Sequence, residues 1–324
     1  MIEDIKNPAV SVIAGPCSIS EDNFHELYQL ASIEVRNSLG NLQRAISGVR
    51  VVGLKSRTNY RPEGNDLGID YPLFLHNLSI YRQGGSINDF VMMPGIEMAG
   101  RFAKETGLIV ASEIVSPLIQ VPLFERLLKD DNVLLWNPAV SQIGWHFLEM
   151  TQFLKGTNWK LGLKNPKWQG KKKYDAATAT ELTSMEKAWL GLSTYAAGFQ
   201  DRIIFIHRGV NLAESGMYRN MPMHESAKKI KQITGAKMYF DPSHSYGSKL
   251  RDKIVDGTVE AMKMMFSEDE YLYDGILIEA GSSRTDSGQH ITHNELQGLV
   301  NSIAKFRDIA QPVEKTEPRP AGIN

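Results

Sequence analysis

Side chains that can bind a metal follow three apolar runs of the 324-residue chain. The run VSVIAGPC ends at Cys17, the run KMYFDPSH ends at His244, and the run GILIEAG contains Glu279. Together with a nearby Asp, they offer sulfur, nitrogen and oxygen ligands. Such a mixed set suits a borderline divalent ion such as Mn²⁺, Fe²⁺, Co²⁺ or Zn²⁺. The sequence therefore predicts a divalent metal site.

Basic side chains end other apolar runs. Lys55 and Arg57 follow VRVVGL, Lys164 ends WKLGLK, and Arg208 follows RIIFIH. Arg50 lies at the start of the second run, and the acidic Glu113 ends LIVASE. A local set of Lys and Arg suits a phosphorylated or carboxylated ligand. Beside a Lewis-acidic metal, such a ligand indicates chemistry at a carbonyl or phosphoryl group.

The elements that position these side chains alternate regularly. Eight β-branched-rich runs lie at 10–17, 49–56, 108–114, 132–138, 159–166, 202–209, 237–244 and 275–281. Helix-like spacing falls between them at 24–35, 118–130, 143–156, 184–199 and 253–266. Continuous apolarity is typical of parallel strands buried on both faces. Eight strand–helix units predict an α/β fold, a (β/α)₈ TIM barrel, whose active site lies at the carboxyl ends of the strands.

The domain prediction is a single catalytic barrel over residues 1–310. The interval 57–107 is too long for one crossover, so we expect an elaborated loop after the second strand. The Pro-rich, polar segment 311–324 is predicted to be a C-terminal tail.

Composition narrows the class of protein. The formal net charge is −1, which implies no bulk attraction to nucleic acid or to an anionic membrane. Cys17 is the only cysteine of the sequence, so no internal disulfide is possible and a reducing compartment is indicated. No apolar stretch is long enough to span a membrane. We therefore expect a soluble, cytoplasmic protein without nucleic-acid or membrane partners.

The motifs AGPCSIS, LKSRT, DPSHSYG and IEAGSSRTDSGQHIT resemble those of a known enzyme family. They are similar to the class I 3-deoxy-heptulosonate 7-phosphate (DAHP) synthases and the related 3-deoxy-manno-octulosonate 8-phosphate synthases. The motifs of the family recur in the same order between residues 14 and 292. That order is Gly-Pro-Cys-Ser, Lys-Pro-Arg-Thr, a strand ending in Lys, Arg-Gly, Asp-Pro-Ser-His and a final Glu and Asp. The resemblance implies a metal-dependent, aldol-like condensation of phosphoenolpyruvate with a phosphorylated aldose that releases phosphate.

The resemblance also implies roles for individual residues. The metal ligands would be Cys17, His244, Glu279 and Asp286. Phosphoenolpyruvate would be held by Lys55, Lys164 and Arg208, with support from Arg50 and Glu113. The aldose phosphate would meet Arg57 and Thr58. Catalytic roles are implied for Cys17, Lys55, His244 and Glu279.

The chain departs from the family pattern at three points. Ser56 replaces the Pro of Lys-Pro-Arg-Thr, and Glu279 and Asp286 are closer in sequence than in the family. The fourth strand continues as WNPAVSQ, without the family's phosphate-binding Arg, and Lys167 or Arg61 are candidate replacements.

The acceptor aldose and the assembly are open at this stage. Thr58 favours erythrose 4-phosphate. The alternatives are a divergent synthase that uses arabinose 5-phosphate or an unusual aldehyde, and a non-catalytic barrel that binds a sugar phosphate. Members of the family are commonly homo-oligomers, which predicts the same for this chain.

Overall fold

Eight parallel strands form a closed barrel in the computed structural model, which describes residues 5–57 and 64–312. The strands are β1 (Ala9–Gly15), β2 (Gly48–Arg50), β3 (Ile109–Glu113), β4 (Val133–Trp136), β5 (Lys160–Lys164), β6 (Ile203–His207), β7 (Lys237–Phe240) and β8 (Gly275–Glu279). Each strand pairs with the next, and β8 pairs with β1 from Ser11↔Gly275 to Gly15↔Glu279. The predicted TIM barrel is confirmed.

Side chains from alternate strand positions fill the barrel. The buried interior cluster comprises Ile13, Val52, Ala111, Leu134, Trp136, Ile204, Ile206, Tyr239 and Leu277. Since Ile204 and Ile206 belong to it, the intervening Phe205 belongs to the outer layer between strands and helices. The charged candidate site residues lie at the carboxyl-terminal end of this largely apolar interior.

Ten helices of the described chain surround the strands or cap the barrel. They are α1 (Phe24–Ala31), α2 (Tyr71–Arg82), α3 (Pro94–Thr106), α4 (Pro117–Leu128), α5 (Gly144–Gln152), α6 (Ser184–Ser193), α7 (His224–Thr234), α8 (Pro242–Tyr246), α9 (Ile254–Lys263) and α10 (His293–Ile303). The five predicted helices are present but shorter. The helix predicted over 24–35 ends at Ala31 because the chain then forms a hairpin of Glu34–Arg36 with Leu42–Arg44.

The segment after β2 is elaborated, as predicted. Its described part contains the 3₁₀ turns Gly64–Leu67 and Ile87–Asp89 and the additional helix α2 before α3. The buried Asp70 fastens this segment, since its Oδ1 accepts a hydrogen bond from the Gly95 N–H at 2.6 Å. Burial raises the pKa of Asp70 to about 7.

Short strands outside the barrel were not predicted. Lys172–Asp175 pairs with Thr180–Thr183, and Met265–Ser267 pairs with Glu270–Tyr271. Asp308–Ile309 pairs with the start of β1. Of the predicted tail, residues 313–324 lie outside the described residues. In the described part of the chain, no helix combines the length and the apolarity needed to cross a membrane.

Candidate active site

A cavity of about 370 Å³ opens at the carboxyl ends of the strands. Among the described residues that line it, seven are Lys or Arg and three are Asp or Glu. The lining cations are Lys55, Arg57, Lys164, Lys167, Arg208, Arg219 and Arg284. The cavity therefore has the charge to bind an anionic ligand, although the chain as a whole is nearly neutral.

Two buried ion pairs form the floor of the site. Arg50 bonds Glu279 at 3.0 Å, and both side chains are fully buried. Lys164 bonds Asp241 at 2.9 Å. Both cations also lie near the ring of Trp136, with Arg50 at 5.6 Å and Lys164 at 5.4 Å from its centroid. Burial raises the pKa of Glu279, but His244, Arg50 and His290 outweigh it and hold the pKa well below its usual range.

A third pair lies closer to the opening of the cavity. Lys55 Nζ is 3.4 Å from Glu113 Oε1, which also accepts a hydrogen bond from the Ser56 hydroxyl at 3.2 Å. Burial raises the pKa of Glu113, yet Lys55, Lys164 and His244 lower it to about 2. Glu113 therefore stays ionised and holds Lys55 at the cavity wall.

Gly15 allows the first two strands to bring Cys17 and Arg50 together. Its φ is +150°, and a Cβ there would lie 3.0 Å from the Arg50 carbonyl oxygen. Because Gly15 is in register with Glu279 of β8, Cys17 emerges beside that carboxylate. Burial, reinforced by Glu279, raises the pKa of the Cys17 thiol to about 11.

His244 lies in a helical turn and not at the end of a strand, so the predicted run 237–244 is corrected: β7 ends at Phe240 and α8 follows. The turn forms because Asp241 caps it, accepting a hydrogen bond from the His244 N–H at 3.2 Å. The same carboxylate oxygen is 2.9 Å from His244 Nδ1. His244 Nε2 is thereby directed towards Glu279 Oε1 at 3.7 Å.

The predicted metal ligands lie together in two pairs. Cys17 Sγ is 3.8 Å from Asp286 Oδ2, and His244 Nε2 is 3.7 Å from Glu279 Oε1. Ligands of one ion bound at 2.0–2.3 Å are separated by roughly 3.3–3.8 Å. Each pair taken singly therefore has the donor types and the spacing of two ligands of one divalent ion. No three such side chains among the described residues stand in a ready-formed metal geometry.

Arginines hold Asp286 in this arrangement. Its Oδ2 lies 3.2 Å from Arg57 NH1 and 3.3 Å from Arg219 NH1. Asp286 has a left-handed backbone, with φ 49° and ψ 27°, and begins the 3₁₀ turn Ser287–Gln289. Gln289 links the two candidate acidic ligands, Glu279 and Asp286. Its side-chain amide donates a hydrogen bond to Glu279 and accepts one from Arg219, which in turn bonds Asp286.

His290 supports the loop that carries Cys17. Its Nδ1 donates to the Gly281 carbonyl at 2.9 Å, and its Nε2 accepts from the Cys17 N–H at 3.3 Å. His290, Gln289 and Arg219 were not predicted as site residues. The first two fall within the quoted IEAGSSRTDSGQHIT motif, whereas Arg219 lies in a loop without a recognisable pattern.

Arg208 is a buried cation with few partners. Its NH1 donates to Asn220 Oδ1 at 3.3 Å, and its Nε has no hydrogen-bond partner. Burial lowers the pKa of Arg208 to about 10. A guanidinium buried in this way is stabilised by an anion, so Arg208 is ready to bind one. The neighbouring His207 lies outside the barrel interior, where its Nδ1 bonds the Tyr273 hydroxyl at 2.8 Å.

The fourth strand supplies an amide in place of a cation. Asn137 accepts a hydrogen bond from the Lys164 N–H at 2.8 Å and donates to the Ser141 carbonyl at 3.0 Å, so its role is structural. Lys167, one of the two candidate replacements, lines the cavity. Arg61 and the predicted ligand Thr58 lie outside the described residues.

Comparison with known proteins identifies the architecture. No protein-family model and no curated protein matches the sequence. Among solved structures, the phospho-2-dehydro-3-deoxyheptonate aldolase (DAHP synthase) of Thermotoga maritima is similar, with a TM-score of 0.63 and 17% identity over 94% of this chain and 72% of that chain. The chain has the fold of the DAHP synthases. A truncated form of the Thermotoga enzyme gives a TM-score of 0.60 and 16% identity over 94% of this chain and 91% of that one.

Proposed function

We propose that this protein is a DAHP synthase-like transferase that condenses phosphoenolpyruvate with a phosphorylated aldose. The reaction joins C3 of phosphoenolpyruvate to the aldehyde carbon, adds water at C2, and releases phosphate. The observation that carries the proposal is the cavity at the carboxyl ends of the strands, where seven cations line the wall together with His244 and Asp286. Their partners Glu279 and Cys17 are fully buried next to them. The DAHP synthase fold of the chain supports it.

The buried cations would bind phosphoenolpyruvate. Lys164, Arg208 and Lys55 line the cavity, and Lys55 lies beside Glu113. Their positive charges would neutralise the carboxylate and phosphate of the substrate and stabilise charge that develops during attack. Arg50 would act from below, since it is fully buried and holds Glu279 in place. Ion pairs keep Arg50, Lys55 and Lys164 oriented before the substrate arrives.

Four residues would hold a divalent ion, namely Cys17, His244, Glu279 and Asp286. Such an ion would act as a Lewis acid that polarises the aldehyde oxygen. Asp241 orients His244 through its Nδ1, and His290 supports Cys17 through its backbone N–H. Partners of this kind fix ligand orientation in metal sites.

The acceptor aldose would bind near the cavity mouth. Arg57 lies there, followed in the sequence by Thr58, and we propose erythrose 4-phosphate as the favoured acceptor. Arabinose 5-phosphate or another aldehyde is the second candidate. The observation that favours it is that β4 and its loop supply no cation to the described cavity, where Lys167 and Arg219 lie instead.

The proposal is tested by incubating the protein with phosphoenolpyruvate, Mn²⁺ and either aldose phosphate, and measuring phosphate release and the 3-deoxy-2-ulosonate product. We expect both signals with one of the two aldoses. Lys164→Met should lower the rate at least 100-fold, because a buried charge that contacts the substrate is lost. Lys160→Met is the matched control, since Lys160 begins the same strand at the opposite end of the barrel. No phosphate release with either aldose would contradict the proposed reaction.

A further inference from the structure

A single carboxylate oxygen serves two arginines at the cavity mouth. Asp286 Oδ2 lies within 3.2 Å of Arg57 and 3.3 Å of Arg219, and Cys17 Sγ is 3.8 Å away. The arginines come from different loops, which follow β2 and β6 respectively. Three donors, namely the two arginines and the Cys17 thiol, thus converge on Asp286 Oδ2. Of these donors, Cys17 belongs to the proposed metal set.

Metal binding at Asp286 would compete with these arginine contacts. An oxygen that shares its charge with a divalent ion at about 2.1 Å attracts two guanidinium groups less strongly than a free carboxylate oxygen does. The positive ion would also repel both cations at this range. Metal binding would therefore weaken the ion pairs that Asp286 makes with Arg57 and Arg219.

The two arginines are placed to exchange that carboxylate for a phosphate. The Arg57 side chain is 13% exposed and that of Arg219 is 38% exposed, so both can reorient towards the cavity that they line. Guanidinium groups bind phosphate oxygens in a forked geometry similar to their pairing with a carboxylate. Gln289 holds Arg219 near this position through its own side-chain oxygen.

We propose that Asp286 couples metal binding to phosphate binding by an exchange of ion-pair partners. When the divalent ion takes Asp286, Arg57 and Arg219 are released to clamp the phosphate of the acceptor. Arg219 is thereby a phosphate-binding residue of the acceptor subsite. The inference deepens the proposed function and rests on it for the identity of the metal ligands. Because binding couplings are reciprocal, phosphate must tighten metal binding by the same factor.

Calorimetric titration with Mn²⁺, in the absence and presence of saturating glycerol 3-phosphate as the probe, tests the coupling. For the wild type we expect binding of Mn²⁺ to be about tenfold tighter with the probe, within the usual range of coupling between sites. In Arg219→Met, Mn²⁺ should bind more tightly without the probe because a competitor for Asp286 is gone. The probe should then improve the affinity no more than about threefold.

Arg284→Met is the matched control. Arg284 also lines the cavity mouth, but its carboxylate partner is Asp22, which is outside the proposed metal set. This variant should keep the tenfold coupling, and thermal melting would verify that both variants are folded. Association of Mn²⁺ with the free probe is the same in all titrations and cancels in the comparison between proteins.

The outcomes separate this inference from the proposed function. Mn²⁺ binding that is insensitive to the probe in the wild type would overturn the coupling alone, as would a tenfold coupling that survives in Arg219→Met. An equal loss of coupling in Arg284→Met would mean that any positive charge at the cavity mouth produces the effect, and it would also overturn the proposed exchange. Failure of the wild type to bind Mn²⁺ in either condition would overturn the metal assignment together with the coupling.

Discussion

Asp70 imposes a pH-dependent cost on the stability of the fold. It is 1% exposed, accepts the Gly95 N–H at 2.6 Å, and has a pKa raised by burial from 3.8 to about 7. Since the folded protein binds this proton more tightly than the unfolded chain, stability from this group is fully present below about pH 3.8. This stabilising contribution is lost as the pH rises towards 7, and above pH 7 the group causes no further change in the free energy of unfolding.

The Asp70→Asn variant should therefore gain stability relative to the wild type as the pH rises. A pKa change from 3.8 to about 7 corresponds to a cost on the order of 4 kcal/mol above pH 7. Between about pH 5.5 and about pH 8.5, the difference in free energy of unfolding between variant and wild type should rise by roughly 2 kcal/mol. This rise does not depend on how well the amide itself packs.

Urea denaturation at a series of pH values measures the difference directly. Asp252→Asn is the control for the loss of one negative charge, because the Asp252 side chain is 72% exposed. It should show no comparable rise, since an exposed carboxylate keeps its hydration on folding. A constant difference between Asp70→Asn and the wild type over this pH range would show that the pKa of Asp70 is not raised in the folded protein.

Three further substitutions test other parts of the structure. Arg50→Met should lower the free energy of unfolding by about 3–5 kcal/mol, because it leaves the fully buried Glu279 carboxylate unpaired, and thermal melting measures the loss. Gly53→Ala should lower the free energy of unfolding by about 1–3 kcal/mol, since the added Cβ would lie 2.1 Å from Asp70 Oδ2. Thermal melting measures this loss as well, and an unchanged melting temperature would contradict the clash. His290→Ala should weaken Mn²⁺ binding about tenfold or more, measured by calorimetry, because His290 supports the loop that carries Cys17. The control His293→Ala should not weaken it, since His293 lies at the start of α10.

The barrel could be predicted because each of its strands has a recognisable sequence pattern. Strands buried on both faces read as continuous apolar runs, and each of the eight predicted runs overlaps a barrel strand. Their ends were less predictable. The run at 49–56 contains only the end of β2, because the chain leaves the sheet at Gly53, whose carbonyl accepts the Asp70 N–H.

The site was predictable where a residue ends its strand or follows it within a few residues. Cys17, Lys55, Glu113, Lys164, Arg208 and Glu279 all lie at the same end of the barrel, since the carboxyl ends of parallel strands meet there. Arg219 could not be found in this way. It reaches the cavity from a long loop whose path depends on backbone pairing with the Ser245–Tyr246 segment. Such pairing leaves no periodic pattern in the sequence.

Elemental analysis determines whether residues at the carboxyl-terminal end of the barrel form a metal site beside the anion-binding cavity. The wild type, Cys17→Ala and His244→Ala would each be incubated with Mn²⁺, desalted and analysed for bound metal. The expected result is about one ion per chain in the wild type and a loss of that ion in both variants. A wild type that retains no ion, or an ion that both variants retain in full, would contradict it.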